Sequence, residues 1–493
     1  MLSIKRSKIV KRLISLMLLI ACAFGICYGF GSCKKEEKVG SRYEITAEYV
    51  PESGTLTGTT KITFENLGDN EISVLKFQLY PNAYRKDVLY KPVSKAYENS
   101  AYYAGESYGE MVISSVNGAK GWEVLGEDEN ILYVYLERSL FPSDKVVLDI
   151  GFLIKLARVN HRTGITEKTV NLANFFPILC GEKDGGFLEC VYYSDGDPFL
   201  SACADYKVTL TTPKEYIVAS TGALVSERTL ESKKEHIFTA DSVRDFALVL
   251  STQFEIIKKM VGDTQISYYY YEDPKAKETL EVAVESFSYF ENTFGAYPYP
   301  TYSVVQTGFC LAGMEEPSLV MISDDLLLGE LYKTVVHETA HQWWYAVVGS
   351  NQIEEAWQDE GLAEYSALLF FENYEKYGFT REQTVNKALK EYRSYYDVYG
   401  SVLGRTDTKM SRHLKEYLSD YEYKCLAYDK PLVMLDTLRK SVGDESFLSA
   451  LKRYYKDNAF TIATPAHLIA SFEKTGLDVH GFFDSFLSGK AIL

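Results

Sequence analysis

The sequence predicts a multidomain α+β chain in which an antiparallel β region precedes a mostly helical one. Three observations carry the prediction. Residues 42–255 alternate apolar and polar side chains in short runs, the period of strands with one buried face. After Tyr271 the apolar spacing becomes that of amphipathic helices. Within that second region stands His337-Glu338-Thr-Ala-His341, and Glu360 follows after eighteen intervening residues.

At 493 residues the chain exceeds one small core, so two or three domains are expected. Hydrophobic content of 46% with 24% charged residues excludes a disordered chain. The formal net charge of -16 argues against nucleic-acid binding. Residues 1–33 read as an export leader. Lys5, Arg6, Lys8, Lys11 and Arg12 precede an uncharged stretch from Leu13 to Ser32. Phe30-Gly-Ser-Cys33 and Leu19-Ile-Ala-Cys22 both look like lipoprotein boxes, so Cys33 and Cys22 are the lipidation candidates. The alternative is an uncleaved N-terminal anchor, since about twenty apolar residues span a bilayer. Either way the body is expected outside the cytoplasm, attached to the membrane, with residues 34–41 as a charged tether. Five cysteines lie beyond the leader. Cys180 with Cys190 is the one pair considered for a bridge, and small buried hydrophobes are expected otherwise.

The β domain is expected over 42–255. Its strands are Tyr43–Val50, Thr57–Phe64, Ile72–Tyr80, Ile131–Leu136, Val146–Phe152, Tyr206–Leu210, Ile217–Ser220 and Phe246–Leu250. Turn residues such as Glu52-Ser-Gly separate them, so an antiparallel sandwich or folded sheet is implied. A second domain is expected over 256–460, with a short helical end over 461–493. Thr279–Phe294 carries Leu280, Ala283, Phe287, Phe290 and Phe294 on one helical face, and Gly295 ends it. Strands at Tyr302–Gln306 and Leu319–Ile322 follow. Further helices are read at Val385–Tyr395, Lys430–Val442, Ser446–Tyr455 and Pro465–Phe472, the last segment ending near Leu487.

Residues four apart share a helix face, so His337 and His341 can present two imidazoles to one ion. Val335–Val348 reads as that helix, with Gly349 as a left-handed stop. A second helix starting at about Asp359 can return Glu360 to the histidines. Two histidines and a carboxylate with an open fourth position describe a catalytic zinc site rather than a structural one. Glu338, one step round from His337, turns toward whatever else binds there. An incidental surface helix is the bland reading; two of only seven histidines standing in register, with a third acid following, outweighs it.

The combination of Ala312-Gly313-Met314-Glu315-Glu316, His337 to Trp344, Trp357 to Tyr365 and Ala427-Tyr428-Asp-Lys-Pro431 resembles the zinc aminopeptidases of the aminopeptidase N and leukotriene hydrolase family. These are gluzincin metallopeptidases. The resemblance covers nearly all of 42–487 and implies an N-terminal β-sheet saddle before a thermolysin-like catalytic domain. It implies one zinc ion on His337, His341 and Glu360, with Glu338 as proton carrier. Tyr428 would donate to the oxyanion, with Tyr423 in reserve. Glu315 would bind the substrate's free α-amine, and Gly313 and Met314 would offer a strand edge to the peptide. Asp359 and Glu364 would either orient the histidines or be ordinary helix charge.

Departures are Glu316 where Asn is common, Gln358-Asp359 for Leu-Asn, and Pro431 for Gly. A further amine-binding group is expected near Asn174-Phe-Phe-Pro, without assignment to a residue. About thirty residues follow Phe460, so the long C-terminal helical domain of larger members is expected to be absent. The implied activity is release of N-terminal residues from short peptides. The alternatives are an endopeptidase or altered specificity, and a non-catalytic binding protein on the same scaffold.

Overall fold

Ser41–Val50 buries Tyr43, Ile45, Ala47 and Tyr49 while Arg42, Glu44 and Thr46 face water, as a half-buried strand must. It lies at the centre of a seven-stranded sheet. The order is Ala223–Leu230, Lys233–Val243, Ala204–Pro213, Ser41–Val50, Thr55–Glu65, Lys145–Lys155 and Glu110–Asn117. The computed structural model describes residues 39–183 and 185–493. The leader, with Cys22 and Cys33, lies outside them.

Neighbours in that sheet are antiparallel except Ser41–Val50 with Ala204–Pro213, where Ile45 opposes Val208 in a parallel pair. The long excursion between these strands permits it, since only tight hairpins force reversal. A two-stranded ribbon, Glu182–Lys183 with Gly186–Phe187, and two four-stranded sheets accompany the seven-stranded one. One is built on Ile72–Gln78 and Ile131–Leu140, the other on Val170–Leu172 and Leu248–Ser251.

Glu255 opens a five-stranded sheet of another kind. Its order is Glu255–Val261, Thr264–Tyr270, Thr301–Thr307, Leu319–Ser323 and Gly313–Met314. Thr264–Tyr270, Thr301–Thr307 and Leu319–Ser323 run parallel, and the first two are joined through the helix Ala276–Phe294. Gly313–Met314 is the edge strand, antiparallel to Leu319–Ser323. The helices Leu328–Ala340, Trp357–Asn373, Arg381–Leu403, Lys430–Val442, Asp444–Asn458, Pro465–Glu473 and His480–Leu487 follow. Most buried apolar side chains between Tyr43 and Phe486 merge into one cluster, with smaller ones around Tyr395, Tyr84 and Ile353, and Gly40–Leu493 is a single compact unit. Among the described residues no helix is long and apolar enough to cross a membrane.

Two expectations fail. The helix expected over Val335–Val348 ends at Ala340, and residues 341–349 form turns. The reason is tertiary. Trp343 and Trp344 are both buried, their indoles donating to the Gly295 carbonyl (2.9 Å) and the Ser366 hydroxyl (2.8 Å). Arg244, from the β region, donates to the Tyr345 carbonyl (2.7 Å) and the Val347 carbonyl (3.2 Å), so these oxygens need no helical partner. Gly349 is not a left-handed stop. It is glycine because a Cβ there would sit 2.2 Å from the Arg244 guanidinium carbon. The second failure is the cysteine pair: Cys180 and Cys190 are free buried thiols, like Cys425. Burial pushes the Cys190 thiol up to about 12.

Candidate functional site

His337 lies in the last turn of Leu328–Ala340, and His341 caps that helix. Glu360 lies in the first turn of Trp357–Asn373, where the helix dipole favours a negative charge. The Nε2 atoms of His337 and His341 are 3.1 Å apart, and each is 3.3 Å from Glu360 Oε2. A tetrahedral zinc with bonds of about 2.0–2.1 Å spaces its ligand atoms by roughly 3.3–3.4 Å. The triangle therefore has the dimensions of one face of such a site.

The outer nitrogens fix the tautomers. His341 Nδ1 donates to the Trp344 carbonyl (2.9 Å) and His337 Nδ1 to Glu364 Oε2 (3.1 Å). Both Nε2 lone pairs then face one point, which is what a cation requires. Burial opposes charge on His337, yet Glu360 and Glu364 hold it well above the usual histidine range. Burial also opposes ionisation of Glu360, yet the two imidazoles hold it well below the carboxylate range. The donor set fits one zinc ion, and His337, His341 and Glu360 are the residues that would hold it.

Glu338 is buried beside this triangle, its Oε2 without a partner. Burial pushes it up to about 8, against the pull of the two histidines. The backbone of Gly313 passes so close that a Cβ there would meet Glu338 Oε1 at 2.3 Å. Only glycine lets the edge strand run alongside that carboxylate.

Tyr428 donates to Glu360 Oε1, and its ring stacks on His337 at 5.8 Å. It lies in a π-helical turn, Cys425–Asp429, between Asp420–Lys424 and Lys430–Val442. Pro431 cannot donate to the carbonyl four residues back, which explains a widened turn just before it. The same proline packs on Gly361, where a Cβ would come within 2.5 Å of Pro431 Cβ. Tyr423 meets Tyr428 edge-on at 5.8 Å and packs against Gly196.

Glu315 is buried at the other side of the triangle, within one cluster with Glu338 and His341. Gln352 Nε2 donates to its Oε1 at 3.0 Å. Met314 is buried, its sulfur accepting from Arg162 Nε at 3.0 Å. Arg162 in turn is ion-paired with buried Asp197 and donates to Tyr192 OH (3.1 Å). Burial, with Glu315 nearby, raises Asp197 to about 7. Glu315, Arg162 and Asp197 line a cleft of about 620 Å³ that also holds Asp195 and Asp420.

The triangle, Glu338, Tyr428, Glu315 and Gly313 thus share one cleft. Sequence reasoning missed Arg162, Asp197 and Gln352. Asp197 sits in Ser194-Asp-Gly-Asp-Pro, an acidic turn whose cluster was the available signal. Asn174 donates to Asp245 and does not line the cleft, whereas Asp197 lines it near Glu315. Glu364 orients His337, but Asp359 orients neither histidine. It is buried and accepts the Glu360 N–H (2.9 Å), because the Trp344 carbonyl already holds His341. Glu316 is buried with neither carboxyl oxygen hydrogen-bonded, and burial raises it well above the carboxylate range.

Residues 278–486 match the model of the peptidase family M1 domain. Over that stretch, somewhat under half of its length, the chain is similar to peptidase family M1. Aminopeptidase M1-A of Oryza sativa subsp. japonica is 24% identical over 361 residues, 65% of this chain and 40% of that protein. Human aminopeptidase B is 28% identical over 198 residues, 38% of this chain and 29% of that protein. The chain thus spans less than half the length of these relatives. The M1 zinc metallopeptidase of Deinococcus radiodurans shares the fold. Its TM-score is 0.63 at 17% identity, over 92% of this chain and 96% of that one. The expected α+β fold and the zinc metallopeptidase domain are both met.

Proposed function

We propose that this protein is a zinc-dependent aminopeptidase that releases N-terminal residues from short peptides. The observation carrying the reading is a buried acid, Glu315, beside a ligand triangle of zinc dimensions. When bound, zinc supplies a Lewis acid that polarises a carbonyl and lowers the pKa of water. Glu338 is within reach of the same point and carries a proton from the attacking water to the leaving amine. The Tyr428 hydroxyl stabilises the carbonyl oxygen of the substrate as charge develops on it. Glu315 holds the substrate ammonium, so the amine sets which bond meets the base. Arg162 fixes Asp197 beside Glu315 and keeps this end of the cleft from excess negative charge. The edge strand Gly313–Met314 pairs with the peptide backbone.

The leader supports an extracytoplasmic, membrane-attached protein, lipidated at Cys33 or Cys22 or held by an uncleaved anchor. Mass spectrometry of the membrane fraction distinguishes these.

The test of the activity is turnover of matched free and N-acetylated peptides, with and without a chelator. Free peptides should be cleaved, acetylated ones spared, and the chelator should abolish turnover. Glu315→Ala should cost the free peptides at least about a hundredfold in kcat/KM, the loss of a buried charge-assisted contact. Equal cleavage of both peptides, unchanged in that variant, would make the protein an endopeptidase.

A further inference from the structure

A second cavity, of about 290 Å³, opens beside the cleft and shares Lys333, Glu364, Lys424 and Tyr428 with it. Its character is opposite. The cleft is lined by seven acids, among them Glu315, Asp195, Asp197 and Asp420. The side cavity has an apolar wall, including Leu368, Phe371, Phe379 and Leu432, and a rim of three lysines, Lys333, Lys387 and Lys424. Its two acids are committed: Glu364 to His337, and Asp429 to Lys424 at 2.7 Å. Among the described residues neither Lys333 nor Lys387 makes an ion pair. Lys333 lies over the Phe379 ring at 4.2 Å. Burial first, and the neighbouring Lys387 next, hold Lys333 below the usual lysine range against the pull of Glu364 and Glu330. In a chain of net charge -16, two unpaired lysines on one cavity stand out.

Position gives the cavity a direction. Glu315 clusters with Glu338 and His341, whereas Glu364, Tyr428 and Lys333 flank His337, one helical turn beyond Lys333. A peptide with its ammonium at Glu315 and its first carbonyl at the triangle runs on toward Lys333.

We propose that this cavity is a subsite for a carboxylate on the leaving side of the peptide, gripped by Lys333 and Lys387 while its apolar stem lies on Phe371 and Phe379. The inference rests on the peptidase reading. It makes the protein an electrostatic ruler, with acids for the amine at one end and lysines for a carboxylate at the other. The carboxylate comes from an acidic side chain or from the free C-terminus of a very short peptide.

The experiment compares three tripeptides of the same first residue: a C-terminal acid, its amide, and an amide carrying glutamate at position two. Circular dichroism checks that each variant folds. Either carboxylate should raise kcat/KM over the neutral amide by roughly three- to tenfold, the range of part-exposed ion pairs. The stronger arm names the source. Within Lys387→Ala the ratio should fall toward one, and within Lys387→Glu it should invert. Hydrolysis of a neutral aminoacyl anilide by the native protein reports the peptidase reading separately. If the anilide is cleaved but acid and amide are treated alike, the subsite is refuted and the peptidase reading stands. If nothing is cleaved, calorimetric binding of acid against amide to Glu338→Gln still decides: equal affinities refute the subsite.

Discussion

Replacing Gly313 by alanine tests how tightly the edge strand and the base are matched. The added Cβ would lie 2.3 Å from Glu338 Oε1 and 2.7 Å from its carboxyl carbon, where real Cβ contacts stay above 3.0 Å. One partner must move by roughly 0.7 Å. Glu338 is buried on the helix that carries His337 and is capped by His341, so its carboxylate yields by rotating away from the triangle. A misplacement of about 1 Å at a reacting group costs on the order of a hundredfold in rate. Gly313→Ala should therefore lower kcat by roughly 10- to 100-fold, about 1.4–2.7 kcal/mol of transition-state stabilisation. KM should move less than threefold, because the strand's hydrogen-bonding edge is unchanged. Zinc content, read by atomic emission, should stay at the native value. Steady-state kinetics on an aminoacyl anilide measures both constants. A variant with native kcat, or one that loses zinc, would refute the account of Gly313 as the clearance for Glu338.

Three further outcomes follow from other contacts. Glu364→Ala removes the acceptor of His337 Nδ1–H and should weaken zinc binding by roughly 10- to 100-fold in a chelator competition, with a smaller loss of kcat at saturating zinc. Arg244→Ala strips a donor from the Tyr345, Val347 and Thr461 carbonyls; the Phe460 and Gly349 N–H groups still bond the last two, so the Tyr345 carbonyl is the one orphaned and stability to denaturant should fall by about 1–3 kcal/mol. Asp195, beside Asp420, is raised to about 7 by burial first and by that neighbour next. A folded acid with a raised pKa loses stability as pH rises from its unfolded value, about 4, to its folded one. The melting temperature of Asp195→Asn should thus gain on the native protein progressively between pH 4 and pH 7 and hold that gain above it; a constant difference across the range would contradict the shift.

Much of the site was legible because its central part is local. Two histidines one turn apart, a glutamate between them and a second helix within reach are consequences of helical periodicity, and the triangle has the dimensions this spacing allows. Helices such as Lys430–Val442, and the strand Ile217–Ser220, likewise carry their own periods and stops. What escaped was non-local. Arg162 and Asp197 reach Glu315 from the β region, and Gln352 reaches it from a loop after the turns. No period or spacing connects them.

The sequence by itself determined the alternating strands, the amphipathic helices and the pair of imidazoles, since each follows from side chains a few residues apart. Tertiary structure alone decided that the helix stops at Ala340, that Asp359 turns from the histidines while Glu364 meets one, and that lysines gather on a side cavity. Those outcomes depend on which buried carbonyls and carboxylates find partners in distant segments. Arg244, reaching the Tyr345 and Val347 carbonyls across about a hundred residues of chain, is the plainest case.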